Sequence, residues 1–385
     1  MATYARQAVT FERGAGAWLW DVDGQRYLDA VAGVAVCNLG HAHPAIQQAL
    51  SEQSGKLVHT SNLYAIDLQT KLADELSRLT GMEKVFFGNS GAEANEAAIK
   101  IARKYAQQRG IDKPVIVTME KSFHGRTMAT LSASGNTKIQ QGFAPLLPGF
   151  IHVPYNDIEA VKAAVAADNN IVAIMVEPVQ GEGGVNIPAA DYLSQLRELC
   201  DQHHLLLILD EIQTGVGRTG RFMAYQHSQI LPDVCTMAKA LGNGVPIGAC
   251  LARGQAAEIF TAGSHGSTFG GNPLACSAGL AVLSTLANSR LIADAQQKGE
   301  QICAQIAEKT KGNQVVRQIR YLGLMIGIEL DRPCSELVAK ALTKGLLINV
   351  TADNVIRLLP PLLIDTQQID LLTDGLAALI QESYA

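Results

Sequence analysis

The chain has 385 residues, 48% of them hydrophobic and 17% charged, and its formal net charge at pH 7 is -5. This composition excludes a disordered chain, and the length predicts a large domain of about 200 to 250 residues with a smaller companion. Because no run of like charges occurs, the sequence argues against nucleic acid or an anionic membrane surface as a partner.

The first predicted element is a hairpin within residues 17–29 that turns at Asp23-Gly24. From about residue 80 to 270, β-rich apolar runs alternate with longer helical patterns, which predicts an α/β fold with a mostly parallel sheet and helices on both faces. One helix is predicted after Gly91 and another over 189–203. The strands of the sheet are predicted at residues 85–87, 115–119, 171–176, 205–209, 234–237 and 247–251.

The last part of the chain predicts a second domain of α+β type. A long helical pattern begins after Asn272-Pro273, and beyond about residue 312 the order becomes strand, helix, strand and terminal helix. No repeat, low-complexity stretch or flexible linker separates the parts. We therefore expect one rigid body in which residues 1–45 pack with the small domain, 46–275 form the large domain and 276–385 form the small domain.

The cysteines and the amino terminus bear on the cellular compartment. Seven cysteines are scattered without C-x-x-C spacing, as small core residues would be. The first residues lack a signal-peptide pattern, and no run of about eighteen uninterrupted apolar residues occurs. Two pairs of histidines are close in the sequence, His41 with His43 and His203 with His204, but neither pair has a convincing third metal ligand. The sequence thus predicts a cytoplasmic protein without a metal centre or a membrane span.

Lys239 and Asp210 are the most informative pair of residues. Lys239 stands between an apolar run and a glycine turn, and Asp210 closes the apolar run 205–209. A desolvated lysine can act as an amine nucleophile, and a strand-end carboxylate can hold a positive charge on a heteroaromatic nitrogen. Each also has an ordinary interpretation, because the lysine can reach solvent from a strand end and the aspartate can cap a helix. Together they indicate pyridoxal phosphate chemistry.

Further polar motifs follow the predicted strands. Ser90 and Gly91 begin a helix, where free amides can bind phosphate, although Ser90 and Glu93 also match an ordinary capping box. Phe123 can stack on a flat ring and Arg126 can clamp a carboxylate, although loop residues of these types often serve packing alone.

Two more loops, residues 177–184 and 210–220, combine acidic and amide side chains with glycines after predicted strands. Open α/β sheets bind ligands at the carboxyl edge of their strands. Because repeated burial of charge without a partner is costly, this accumulation at one edge indicates a binding site.

These motifs resemble the class III (subgroup II) pyridoxal phosphate aminotransferases of fold type I. The likeness covers essentially the whole chain, from the Trp20-Asp21-x-x-Gly24 hairpin through Gly40-His41-x-His43-Pro44 to the segment 357–361. The resemblance implies a large domain with a mostly parallel sheet and a smaller α+β domain built from both termini. It also implies pyridoxal 5'-phosphate as the cofactor and a homodimer with shared active sites.

The resemblance implies roles for individual residues. Lys239 matches the lysine that binds the cofactor covalently, and Asp210 matches the carboxylate that keeps the ring nitrogen protonated. Thr268 resembles the residue that reaches the phosphate of the neighbouring subunit, and Ala92 stands where many relatives have threonine. The implied cofactor-binding residues are Ser90, Gly91, Ala92, Phe123, Asp210, Glu211, Gln213, Lys239 and Thr268, and the implied substrate-binding residues are Arg126, Glu182, Ser267 and Arg357.

The implied reaction transfers the terminal amino group of N2-acetylornithine to 2-oxoglutarate, a step of arginine biosynthesis. Ornithine, succinylornithine and 4-aminobutyrate stay open as alternative donors, and an aminomutase or racemase could use the same fold. An inactive scaffold protein is disfavoured because both Lys239 and Asp210 are present.

The resemblance implies that Arg126 binds the distal carboxylate of either substrate and Arg357 the α-carboxylate of glutamate. Glu182 could mask the charge of Arg357 when acetylornithine is bound, because an unpaired charge in a dry site is costly. The alternative is a permanent Glu182–Arg357 salt bridge that only joins the domains.

Overall fold

The computed structural model describes residues 1–384, which form an α/β fold with one large and two small sheets. The predicted fold class is confirmed. In chain order the strands are β1 Phe11–Ala15, β2 Trp18–Asp21, β3 Arg26–Asp29, β4 Lys84–Gly88, β5 Val115–Met119, β6 Phe150–Val153, β7 Ile171–Val176, β8 Leu206–Asp210, β9 Val234–Met237, β10 Gly248–Ala252, β11 Val316–Leu322, β12 Met325–Leu330, β13 Leu346–Leu347, β14 Asn349–Thr351 and β15 Val355–Leu358.

The helices lie between these strands and at the carboxyl end of the chain. The first of them, α1, spans four residues and is an irregular turn, because Gly33 and Val34 have positive φ angles of 65° and 66°. In chain order the α-helices are α1 Ala32–Ala35, α2 Pro44–Ser54, α3 Asp67–Thr80, α4 Gly91–Gln108, α5 Met128–Ala133, α6 Thr137–Gln140, α7 Ile158–Ala167, α8 Tyr192–His203, α9 Pro273–Ala287, α10 Leu291–Lys309, α11 Glu336–Thr343 and α12 Thr366–Ser383.

The large sheet has seven strands in the order β4-β10-β9-β8-β7-β5-β6. Strands β6, β5, β7, β8 and β9 pair in parallel, whereas β10 runs antiparallel to both of its neighbours. The carboxyl ends of the parallel strands therefore meet at one edge, which is where ligands bind in open α/β sheets.

The inner strands are apolar along their length because helices cover both faces of the sheet. Every residue of β7, β8 and β9 is buried, as expected for parallel strands between two helical layers. Helix α4 contacts β9 and β10 through an apolar stripe that includes Ala94, Ala98 and Ile101. Because these strands are buried along their length, the chain leaves the core only at the strand ends, and polar residues lie there.

One strand of the large sheet has no counterpart in the sequence predictions. Strand β6 lies at the sheet edge, and of its four residues only Val153 is buried. A short, half-buried edge strand shows neither a continuous apolar run nor clear alternation, so its pattern is weak.

The two small sheets bring the ends of the chain together. The first has the order β1-β2-β3-β13, in which the predicted hairpin β2–β3 is antiparallel and β13 pairs in parallel with β3. The second has the order β11-β12-β15-β14. The region beyond residue 312 thus contains more strands than the two predicted, because β13, β14 and β15 span two, three and four residues, too few to show alternation.

The long helical pattern after Pro273 consists of two helices, α9 and α10, which meet at a bend of 71°. Within residues 1–384, no single helix is long and apolar enough to cross a membrane, and this bent pair reaches the required length and composition only when both helices are counted together. The same residues hold no group of three or more histidine, cysteine or acidic side chains placed for a metal ion.

Candidate active site

A cavity of about 410 Å³ opens at the carboxyl edge of the large sheet. This volume lies in the range that accommodates small ligands and cofactors. Its walls come from the loops that follow β4, β5, β7, β8 and β9. The predicted site residues that line it are Ser90, Gly91, Ala92, Phe123, Arg126, Glu182, Asp210, Gln213 and Lys239.

Lys239 and Asp210 reach this cavity from neighbouring parallel strands. Asp210 is the last residue of β8, and Lys239 follows shortly after the end of β9. Asp210 pairs with Thr236 in the sheet, so the two strand ends are aligned. Lys239 has a φ of 45°, a left-handed conformation that costs a non-glycine residue about 1 to 3 kcal/mol and is concentrated at functional sites. Both side chains line the same cavity, as the sequence-based hypothesis requires.

The surroundings of Lys239 favour its neutral amine. Burial and the nearby Arg357 cation lower the pKa of Lys239 to about 8, although the carboxylates of Glu182 and Asp210 act in the opposite direction. An exposed lysine has a pKa of about 10.4. At neutral pH a much larger fraction of Lys239 is therefore deprotonated and able to attack an aldehyde.

Asp210 is 4% exposed and is held in one orientation. Its Oδ2 accepts hydrogen bonds from Asn95 Nδ2 and His124 Nδ1, each at 2.8 Å. Asn95 is fixed in turn by Thr236, whose hydroxyl donates to Asn95 Oδ1 at 2.7 Å. The network presents a carboxylate to the cavity, where it can stabilise a cationic nitrogen of a ligand.

His124 is a site residue that the sequence analysis did not assign. Burial lowers its pKa, but the hydrogen bond to Asp210 and the charges of Asp210 and Glu177 outweigh burial and raise the pKa above its ordinary value. Its Nε2 has no hydrogen-bond partner within the described part of the chain. His124 directly follows Phe123, in a loop that the sequence analysis singled out, but its contact with Asp210 spans 86 positions and leaves no local signal.

Glu177 is a second residue without an assigned role, and it joins two loops of the site. It follows β7, and its carboxylate accepts hydrogen bonds from the backbone of Phe123 at 2.9 Å and of Gly181 at 3.1 Å. Burial raises the pKa of Glu177 to about 7. The residue therefore ties the loop that carries Phe123 to the loop that carries Glu182.

The amino terminus of α4 forms another wall of the cavity. Ser90 is the N-cap residue, and its hydroxyl accepts a hydrogen bond from the Glu93 amide at 3.2 Å. The Glu93 carboxylate accepts a hydrogen bond from the Asn89 amide at 2.8 Å. In a standard capping box this carboxylate would accept from the amide of the N-cap residue itself, whereas here it accepts from the residue before Ser90. Gly91 and Ala92 line the cavity, and the first amides of a helix, with its positive dipole end, form a phosphate-binding site.

A second charged group at the cavity is the Glu182–Arg357 ion pair, with 2.7 Å between Oε1 and Nη1. Arg357 on β15 is 1% exposed and also donates to Asn349 Oδ1 at 2.7 Å, whereas 33% of the Glu182 side chain is exposed. Burial raises the pKa of Glu182, but the Arg357 cation outweighs it and holds the pKa below its ordinary value. The pair connects the large sheet to a small sheet, and of the two residues Glu182 lines the cavity and Arg357 does not.

Gln213 connects this ion pair to the loop of Asp210. It lines the cavity, and its Oε1 accepts a hydrogen bond from Arg357 at 3.3 Å. A Cβ atom at position 181 would lie 2.1 Å from that oxygen. Glycine at position 181 is therefore required for this placement of Gln213.

Phe123 and Arg126 form a further wall. Phe123 is half-buried, and Arg126 is exposed to solvent. The guanidinium carbon lies 5.7 Å from the centre of the Phe123 ring, which is within the range of a cation–π contact. Arg126 thus remains available to the carboxylate of a ligand.

Glu211 does not line the cavity within residues 1–384, although it is next to Asp210. It is 1% exposed, accepts a hydrogen bond from the Tyr225 amide at 2.9 Å and is bonded to the Thr214 hydroxyl. Burial raises its pKa to about 7. Through these contacts Glu211 stabilises the loop that follows β8.

Ser267 and Thr268 lie near the cavity without lining it in the described residues. The Ser267 hydroxyl accepts a hydrogen bond at 3.1 Å from Asn89, which lines the cavity. Thr268 is exposed and does not line this cavity. The chain by itself therefore brings Ser267 to the rim of the cavity and leaves Thr268 outside.

The groups around the cavity match the chemistry of pyridoxal phosphate. Lys239 has an amine that can react with an aldehyde, and Asp210 has a carboxylate that can pair with a cationic ring nitrogen. The start of α4 has free amides that can bind a phosphate, and Phe123 has a flat apolar surface on which a ring can stack. All of these groups line one cavity.

Known proteins resemble this chain over nearly its full length. The model of the class-III aminotransferase family matches residues 2–380. A curated relative from Nitrosomonas europaea, acetylornithine aminotransferase, is 55% identical over 380 residues, which are 99% of this chain and 97% of the relative. Acetylornithine aminotransferase 1 of Bordetella bronchiseptica is 49% identical over 382 residues, which are 99% of this chain and 97% of that protein.

Solved structures give the same fold. The ornithine aminotransferase from Toxoplasma gondii has a TM-score of 0.96 at 35% identity, covering 100% of this chain and 92% of its own. The N-acetylornithine aminotransferase from Stenotrophomonas maltophilia has a TM-score of 0.87 at 38% identity, covering 99% and 98%. Backbone similarity alone therefore does not separate these two amine donors, whereas sequence identity is higher to the curated acetylornithine enzymes.

Proposed function

This chain belongs to the class III aminotransferases, and we propose that it transfers the terminal amino group of N2-acetylornithine to 2-oxoglutarate. The products are N-acetylglutamate 5-semialdehyde and glutamate. One observation carries the proposal: Lys239, Arg126 and Glu182 line the same cavity, and Glu182 is paired with buried Arg357. This arrangement provides an amine nucleophile together with two cationic positions for carboxylates.

The cofactor is pyridoxal phosphate, which when bound supplies an aldehyde that exchanges with amines and a ring that withdraws electrons from the reacting carbon. Lys239 would hold the cofactor until a substrate amine replaces it, and its Nζ would then carry a proton to and from the reacting carbon. The lowered pKa of Lys239, about 8, supports both roles because near neutral pH the amine can act as a nucleophile and accept a proton, and its ammonium form can return the proton.

The remaining residues of the cavity would bind and orient the cofactor. Asp210 would keep the ring nitrogen protonated, Phe123 would stack on the ring and Gln213 would contact its phenolic oxygen. Ser90, Gly91 and Ala92 would hold the phosphate. The hydrogen bonds that Asp210 receives from Asn95 and His124 support the first of these roles, because they fix the carboxylate before the ligand binds.

The two substrates pose a recognition problem because their amines lie at different positions relative to the α-carboxylate. Arg126 would bind the distal carboxylate of either substrate, and Arg357 would bind the α-carboxylate of glutamate. With acetylornithine bound, Glu182 would neutralise Arg357, since an unpaired buried cation costs of order 3 kcal/mol. The 33% exposure of the Glu182 side chain supports a movable mask, and a fixed salt bridge between the two sheets is the alternative.

The second subunit would complete the site. Exposed apolar side chains near the rim form a patch: Leu57, Val58, Leu63, Tyr64 and Phe269. Its two segments are joined because Asn62 Nδ2 donates to the Ser267 carbonyl at 3.1 Å. Monomers rarely expose a large continuous apolar patch, which supports a homodimer that buries it. Ser267 would then contact substrate, and Thr268 would reach the cofactor phosphate of the other subunit.

The compartment and the domain division are also proposals. Seven free cysteines support a reducing cytoplasm. The parallel pairing of β13 with β3 supports grouping residues 1–45 with a small domain of residues 276–385, next to a large domain of residues 46–275.

A half-reaction screen tests the proposed donor. The purified holoenzyme is mixed in single turnovers with acetylornithine, succinylornithine, ornithine and 4-aminobutyrate, and the absorbance of the cofactor is followed. We expect acetylornithine to react at least about tenfold faster than ornithine at equal concentration, a difference of about 1.4 kcal/mol. A faster reaction with any of the other donors contradicts the proposal. Glutamate formed from 2-oxoglutarate separates an aminotransferase from an aminomutase or a racemase.

A further inference from the structure

Arg218 is a fully buried cation that the proposed function does not use. Its exposure is 0%, and burial lowers the pKa of its guanidinium to about 9. Nη1 donates to the backbone oxygens of Leu324, at 3.0 Å, and of Pro360, and Nη2 donates to Asn38 Oδ1. Because neutral oxygens compensate a buried cation less well than a carboxylate does, arginine at this position is costly to the fold.

The acceptors of Arg218 belong to different elements, of which one leads to the cavity wall and another to Arg357. Arg218 lies on the loop that begins at the end of β8. Asn38 is two residues after Val36, which lines the cavity. Pro360 is three residues after Arg357, at the end of β15. One guanidinium therefore joins the amino-terminal segment, the loop after β8 and the strand that carries Arg357.

The backbone at this junction is in close contact as well. The Leu324 amide donates to the Arg218 carbonyl at 3.0 Å. Gly323 has a φ of 58°, and a Cβ atom there would lie 2.4 Å from the carbonyl carbon of Thr219. The turn between β11 and β12 thus packs directly against the loop of Arg218. Because protein interiors are closely packed, a small displacement at this point is transmitted to the small sheet that contains β11, β12 and β15.

We propose that Arg218 is a positioning residue that sets where β15 presents Arg357, and thereby the affinity of the site for a carboxylate at that position. The inference rests on the proposed role of Arg357. Glu182, the ionic partner of Arg357, is one-third exposed on a loop with several glycines, so it is a weak anchor for the guanidinium. The contacts of Arg218 hold the same strand from its carboxyl end and remain when Glu182 is displaced.

The test uses the holoenzyme and glutarate, a dicarboxylate without an amine, with binding measured by calorimetry. Arg218→Met removes the charge, and Arg218→Lys keeps the charge but loses the planar fork of donors. We expect both variants to raise the Kd for glutarate at least about tenfold. We also expect the single-turnover rate with glutamate to fall by a similar factor, with the rate for acetylornithine changed no more than about twofold.

The matched control is Arg197→Met, which removes an arginine of α8 that pairs with Asp233 at 2.7 Å and does not line the cavity. This control is expected to lower Tm and to leave the Kd for glutarate unchanged. An unchanged glutarate Kd in either folded Arg218 variant overturns the proposal, as do equal losses in the two half-reactions. If neither Arg218 variant folds, Arg218 acts on the fold as a whole and the proposal fails.

The same experiment separates this inference from the proposed function. If the wild-type enzyme reacts with ornithine rather than acetylornithine, but glutarate binding depends on Arg218, the proposed donor is wrong and the positioning role stands. If the wild-type enzyme does not bind glutarate, the proposed role of Arg357 fails and this inference fails with it.

Discussion

Two groups of charged residues at the cavity differ in how they are held. The aspartate cluster, Asp210 with Asn95 and His124, is buried next to the large sheet and joined by hydrogen bonds of 2.8 Å. The arginine cluster, Arg357 with Glu182 and Gln213, joins the large sheet to a small sheet, and Glu182 is one-third exposed. A cofactor ring that stays bound requires a carboxylate in a fixed position. Two substrates that bind in turn require a charged side chain that can be displaced. This difference supports the proposal that the first cluster serves the cofactor and the second serves substrate choice.

The largest effect is expected at Lys239, which in the proposed reaction acts on both the cofactor and the substrate. Lys239→Ala removes the amine that holds the cofactor and carries the proton, so we expect kcat to fall by at least about 10⁴-fold. The variant should also lose the long-wavelength absorbance of the covalently bound cofactor. Lys162→Ala, which changes an exposed lysine on α7, serves as the control and should keep full activity. Full activity of Lys239→Ala would refute the assignment.

The aspartate cluster is expected to show a graded response. Asp210→Asn removes the anion that stabilises a protonated ring, and we expect the rates of both half-reactions to fall about 10²- to 10³-fold. His124→Ala removes one hydrogen bond to that anion and should cost about tenfold. Single-turnover assays of each half-reaction would measure both effects, with His203→Ala, at the end of α8, as a control. A loss confined to one half-reaction would mean that this cluster takes part in substrate choice.

The arginine cluster is expected to respond in one half-reaction. Glu182→Ala leaves the buried Arg357 cation without its ionic partner when acetylornithine is bound, so the terminal-amine half-reaction should slow by at least about tenfold. The glutamate half-reaction should change less, because the substrate carboxylate replaces Glu182. Single-turnover assays of each half-reaction compare the two, with Glu159→Ala on α7 as the control. Equal losses would indicate a fixed salt bridge and reject the mask.

A smaller effect concerns the pKa of Lys239, to which both clusters contribute. The rate at which the apoenzyme binds pyridoxal phosphate covalently should rise with pH through about 8, because burial and Arg357 disfavour the ammonium form. Arg357→Gln removes a cation and should move this midpoint to higher pH. Glu182→Gln removes an anion and should move it to lower pH. Reconstitution rates measured across pH give the midpoints, and shifts of the opposite sign would show that another group controls the reaction.

The sequence predicts those parts of the site that follow long apolar strands. Asp210 and Lys239 are such residues, and their shared position at one sheet edge follows from parallel topology. The contacts of Asp210 with Asn95 and His124 join residues 115 and 86 positions apart, so no local pattern reveals them.

Other differences also have physical reasons. Neighbouring residues of an extended chain point in opposite directions, which places Glu211 away from the cavity that Asp210 lines. Arg218 lies in a glycine-rich loop, and its complete burial could not be predicted because residues far apart in the sequence supply its acceptors. The role proposed for Thr268 involves a second subunit, and the sequence pattern of one chain does not reveal a contact of that kind.

Chemical trapping tests most directly whether Lys239 holds the cofactor. Borohydride reduction of the holoenzyme converts the labile link between lysine and cofactor into a stable one, and peptide mass spectrometry then locates it. We expect the pyridoxyl group on Lys239, with none on the half-buried Lys298 or on Lys100. A modification found on another lysine, or no modification of a holoenzyme with full activity, would contradict this assignment.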